Sequence, residues 1–112
     1  MRYLILLHGD EAAEAALNPE ERRAIVDGHI AFSRRARERG IEVSGEALAR
    51  SSDGIVIRRD GSVTDGPFAE TKEQLGGFYL VDCESREQML DLVREIPDSP
   101  GLVIEVRPLQ QT

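Results

Sequence analysis

Apolar residues along this chain switch between tight runs, alternation and helical spacing, and the switches divide it into six main elements. Tyr3-Leu4-Ile5-Leu6-Leu7 forms an unbroken apolar run within Arg2 to His8, the pattern of a strand covered on both faces. Asn18-Pro19-Glu20-Glu21 predicts a helix start, with Asn18 as N-cap, Pro19 at the first helical position and Glu21 closing a capping box. Ile25, His29, Phe32 and Ala36 then recur at steps of four, three and four, flanked by Val26 and Ile30, and Gly40 ends the helix. That face is expected to lie on a sheet.

Ile41-Glu42-Val43 and Ile55-Val56-Ile57-Arg58 read as strands, and Asp60-Gly61 between β-prone segments is a hairpin signal. A turn at Asp65-Gly66-Pro67 leads to a polar stretch, Glu70 to Leu75, read as a short helical turn before Gly76-Gly77. Phe78-Tyr79-Leu80-Val81 is the next strand. Ser85 to Gln88 resembles a second capping box, opening a helix whose stripe is Met89, Leu92, Val93 and Ile96. Pro97 and Pro100-Gly101 stop it, and Leu102 to Val106 is the last strand. The order is β-α-β-β-α-β with room for one extra short strand: an α+β, ferredoxin-like sandwich.

Two helices cover one face of such a sheet and leave the other to water, so its strands should alternate. Tyr3 to Leu7 and Phe78 to Val81 do not. The expectation is a homodimer through the sheet faces, of the dimeric α/β-barrel type.

The chain has 112 residues, which fits one domain over 1–112. Its hydrophobic and charged fractions, 40% and 31%, are those of a folded chain rather than a disordered one. With 21 acidic and 14 basic residues the net charge is -7, which disfavours nucleic acid and anionic membrane surfaces as partners. Arg34-Arg35-Ala36-Arg37-Glu38-Arg39 is a local exception, read as a solvated helix end complementing the helix dipole. Cys83 is alone, so no internal disulfide or thiolate metal cage is available. The first apolar run is too short to span a membrane or serve as a signal-peptide core. A cytoplasmic location is expected.

One segment carries a specific resemblance. Val63-Thr64-Asp65-Gly66-Pro67-Phe68-Ala69-Glu70-Thr71-Lys72-Glu73-Gln74-Leu75-Gly76-Gly77-Phe78-Tyr79-Leu80 closely resembles the signature of the DGPF-containing family within the YCII-related superfamily. The resemblance extends to Gly9-Asp10-Glu11, the Pro-Glu-Glu helix start and Ile104-Glu105-Val106-Arg107-Pro108, essentially the whole chain. It implies a ferredoxin-like fold, homodimerisation through the sheets and a pocket built around a His and Asp pair. The matching positions are His29 and Asp65.

His29 interrupts an apolar helix stripe, and an imidazole there needs a hydrogen-bond partner. Asp65 is the carboxylate expected to hold the ring, raise its pKa and leave the other nitrogen for general acid/base work. Against this stands a satisfied interior histidine and an Asp65 that only forms a turn. Gly28, beside His29, implies a close approach by a strand backbone or a ligand, and Gly76-Gly77 a bulge or amides open to a small anion. Pro67 fixes a turn, and Phe68 fills the core or covers the pocket. Lys72 meets an acidic ligand or pairs with a surface carboxylate. His8, where the family more often has an aromatic residue, is placed at the pocket rim. The histidine spacing matches no short metal motif, so no metal is expected. Cys83 has acidic neighbours and reads as a filler.

No cofactor motif, phosphate loop or nucleophile elbow occurs. The functional expectation is a small-molecule enzyme using a His29–Asp65 acid/base pair for a lyase-type or elimination step, which needs no cofactor. The alternative is a non-catalytic small-ligand-binding or regulatory dimer, one that senses a ligand for a transcriptional regulator.

Overall fold

A computed structural model describes residues 1–111. Strand β1 (Arg2–Asp10) leads into a one-turn helix α1 (Glu11–Ala15), the long helix α2 (Pro19–Glu38) and strand β2 (Glu42–Ala47). A 3-10 turn (Ser51–Asp53) opens a hairpin of β3 (Ile55–Ile57) and β4 (Val63–Asp65). Strand β5 (Glu73–Asp82), helix α3 (Arg86–Val93) and β6 (Val103–Pro108) complete the chain. The main sheet has the order β2-β5-β1-β6 and is antiparallel throughout, while β3 and β4 form a separate two-stranded sheet. This mixed α/β arrangement is compatible with the expected ferredoxin-like pattern.

The helix boundaries follow the capping chemistry. Asn18 Oδ1 accepts from the Glu21 amide at 2.8 Å, while the Glu21 carboxylate accepts from the Asn18 amide at 3.0 Å. Gly40, at φ +77°, reverses the chain after the Arg39 cap, a backbone region that glycine enters without steric cost. At α3 the Ser85 hydroxyl accepts from the Gln88 amide at 3.1 Å, but Gln88 returns its bond to the Glu84 amide at 2.8 Å instead of closing the box on Ser85. The α2 basic cluster is solvent-exposed and also carries ion pairs. Arg39 donates to Glu95 at 2.8 Å and Arg35 lies 3.5 Å from the same carboxylate, tying the end of α2 to the segment after α3.

Two expectations change and one holds. β1 runs on to Asp10, whose side chain accepts from the Ala13 amide at 3.1 Å and so starts α1, an element the apolar spacing did not signal. Of the segment Glu70 to Leu75, read as a helical turn, the second half is strand, since β5 begins at Glu73. The bulge reading of Gly76 holds: pairing steps from Leu7↔Gly77 to His8↔Leu75, leaving Gly76 as the extra residue.

Register assigns the faces. Tyr3, Ile5, Tyr79 and Val81 point to the helices and form the core with Phe32 and Ala36 of α2 and Met89 and Leu92 of α3. Leu4↔Leu80 and Leu6↔Phe78 point the other way, where the open face has Ser44, Glu46, Glu105 and Arg107 around this apolar centre. The molecule is a slab of 44 × 43 × 17 Å. Its radius of gyration, 15.6 Å, exceeds the roughly 13 Å of a compact chain of this length.

Candidate functional site

His29 occupies the middle of α2, three residues before the fully buried Phe32, so the helix repeat turns its ring toward the sheet. There its Nδ1 lies 2.7 Å from the Tyr79 hydroxyl, and the ring centroids are 5.8 Å apart. Phe32 packs against the same tyrosine at 4.9 Å between centroids, fixing the ring from below. Gly45, paired with Tyr79 across β2 and β5, leaves the space that ring needs: a Cβ there would meet Tyr79 Cδ1 at 2.7 Å.

The electrostatics are those of a neutral pair. Burial lowers the His29 pKa below its ordinary 6.5. Burial also raises the Tyr79 pKa, partly offset by Ser33 and by the positive charge of Arg37. At neutral pH the imidazole is therefore uncharged and the phenol protonated. Either partner can donate, depending on the imidazole tautomer. Among the described residues Nε2 has no protein hydrogen-bond partner.

The pair opens on a groove of about 460 Å³ between α2 and the β2–β5 edge, within the usual size of small-ligand sites. Val26, Ile30 and Ala47 give it an apolar wall; Ser33, Arg37 and Glu46 supply polarity. An adjoining cavity of about 390 Å³ shares His29 and extends to His8, Glu14 and Arg22. Glu14 has a raised pKa there, first from burial and then from the charges of Glu11 and Asp10.

The residues singled out in the sequence fall into separate places. His8 borders the second cavity, with its Nε2 3.0 Å from Glu105 on β6. Asp65 stands exposed on β4, opposite Ile55, and makes no hydrogen bond to His29 within the chain. The expected carboxylate contact is thus replaced by Tyr79, and the expected rise in the His29 pKa by a fall. Pro67 and Lys72 border a different, polar cavity of about 450 Å³ with Asp10 and Ser51. Lys72 Nζ lies 3.7 Å from Asp10, the surface pairing weighed for it. Phe68 fills no core position; it is exposed. The close approach at Gly28 comes from the Pro97 ring, whose Cβ would lie 2.9 Å from an added methyl, rather than from a strand or a ligand.

Tyr79, Ser33 and Arg37 were not recognised from the sequence. A signal existed: Ser33 and Arg37 follow His29 by four and eight residues, the spacing of one helix face. Tyr79 carried no comparable signal, because its register against α2 depends on long-range packing. No group of His, Cys, Asp and Glu among the described residues is arranged to hold a metal ion, and no helix there is long and apolar enough to cross a membrane.

An antiparallel sheet under two main helices, with a half-buried histidine–tyrosine pair beside a groove, defines a small α/β protein with a candidate ligand site. The family model for the YCII-related domain matches residues 1–111, and the chain belongs to that family. It is similar to an uncharacterised protein of Rhizobium meliloti (strain 1021), 37% identical over 119 residues that cover 97% of this chain and 92% of the relative.

Proposed function

We propose that this chain binds a small, largely apolar molecule in the His29 groove and performs proton transfer on it, as a homodimer. The observation that carries the reading is the half-buried His29–Tyr79 pair, 2.7 Å apart, beside a cavity of about 460 Å³. With Nδ1 donating to Tyr79, Nε2 has a free lone pair and is a base; the depressed pKa keeps that lone pair available at neutral pH. The tyrosine then holds the ring and accommodates the imidazolium formed in the step. Arg37 offers a cationic contact to an acidic or carbonyl group of the ligand. A lyase-type or elimination step, in which a proton is taken from carbon and a leaving group departs, matches this equipment.

The dimer is supported by the open sheet face. Leu4, Leu6, Phe78 and Leu80 form an apolar centre with a polar rim, the anatomy of a protein–protein interface, and no helix among the described residues covers it. Light scattering on the purified protein is expected to give twice the chain mass, and Leu6→Asp to give the monomer.

A metabolite screen by thermal shift, followed by turnover assays, tests the function. A ligand whose conversion is abolished by His29→Gln, with binding retained, supports the enzyme. A ligand bound but never converted reduces the protein to a binding module, and conversion that survives His29→Gln removes the histidine from the chemistry.

A further inference from the structure

Among the described residues the hairpin β3–β4 is an arm whose apolar face is left exposed. Its root is rigidly held: Glu11 accepts from the Ser51 amide and hydroxyl, both at 2.8 Å, and the Gly66 amide donates to the Gly54 carbonyl at 2.7 Å. Beyond that root Ile55, Ile57 and Val63 share one face of the two-stranded sheet, and Phe68 stands exposed just past the root, two residues after Gly66. They expose 63, 66, 59 and 79% of their surfaces. Two-stranded sheets are marginal in water without a packing partner, and three large apolar side chains exposed on one face, with an exposed phenylalanine at the root, are of the kind that mark an interaction surface.

The same chain carries a matching recess. Val26 and Ile30, each more than half exposed, are the outer wall of the His29 groove, which reaches Glu46 and Phe78 at the border of the open sheet face. Charges complement as well. Arg58 and Arg59 at the arm's tip form no ion pair among the described residues, and neither does Glu46, which lines the groove. No residue of the arm lines the groove of its own chain.

We propose that the occupant of the groove's outer wall is the arm of a second copy: Ile55, Ile57, Val63 and Phe68 of each chain cover the His29 groove of the other. This rests on the homodimer reading and deepens it, since each site is then incomplete without its partner. Reciprocal exchange about a two-fold axis closes at two copies, satisfying both apolar surfaces at once. It adds the arm to the open sheet face in one continuous interface, toward the roughly 800 Å² per partner that a stable complex buries. An aromatic anchor such as Phe68, seated over the groove, excludes water from the His29–Tyr79 pair.

The chain contains no tryptophan, so Phe68→Trp introduces a single reporter at an exposed site. In the full-length dimer its emission is expected to be blue-shifted and protected from acrylamide, turning solvent-like on dilution in step with dimer dissociation. Adding Ile30→Asp, on the exposed surface of α2, is expected to return the emission to the solvent value at concentrations where light scattering still finds a dimer. Solvent-like emission in a proven dimer overturns the arm assignment and leaves the dimer intact. Emission that stays blue-shifted with Ile30→Asp removes the groove as its seat. A monomer at every concentration overturns the homodimer reading and the arm exchange with it.

Discussion

His29 and Tyr79, separated by fifty residues of chain, meet at 2.7 Å where α2 crosses β5. The contact joins the long helix to a central strand of the sheet and supplies a partner for a histidine set among apolar side chains. Tyr79→Phe keeps the ring packed on Phe32 but strands the imidazole Nδ1. The expected cost is about 1–2 kcal/mol, measured by urea denaturation, the range for leaving a half-buried polar group without its partner.

The depressed His29 pKa gives stability a defined pH dependence. The unfolded histidine titrates near 6.5 and the folded one lower, so between the two values the unfolded chain holds more protons. The stabilisation is complete above 6.5 and falls as the pH is lowered through the folded value. Unfolding free energies measured from pH 7.5 to 5 are expected to drop more steeply for the wild type than for His29→Gln.

Gly28→Ala tests the contact of α2 with Pro97. Helix propensity alone favours alanine by about 1 kcal/mol. The methyl would, however, lie 2.9 Å from Pro97 Cβ and 3.1 Å from Cγ. A net loss of about 1–3 kcal/mol is expected, the range for overpacking. Pro97→Gly in the same chain should recover most of it, read as a rise in melting temperature over the single variant.

Removing the N-cap of α2 tests the local chemistry that aims His29. Asn18→Ala deletes the acceptor of the Glu21 amide and is expected to cost about 1 kcal/mol in thermal or urea unfolding.

What was legible in the sequence was largely local. The capping box at Asn18, the stop at Gly40, the hairpin at Asp60-Gly61 and the bulge at Gly76 each depend on a few neighbouring residues. Each appears in the structure as those residues imply. Helix α1 was missed because its cap, Asp10, follows a strand without a break and its five residues carry no apolar stripe. The site was legible only in part. His29 stands out by interrupting a stripe, but its partner is set by how α2 lies across β5, which no spacing encodes. Asp65 is suggested by chemistry and separated by topology, on a hairpin outside the main sheet.

The direct test of the central claim is a nitrogen-detected NMR titration of the His29 ring in the wild type and in Tyr79→Phe. The account predicts a midpoint below 6.5 and an Nδ1 shift that changes when the phenol is removed. A midpoint above 6.5 that falls in Asp65→Asn, with Nδ1 indifferent to Tyr79→Phe, would contradict it and make a carboxylate the histidine's partner.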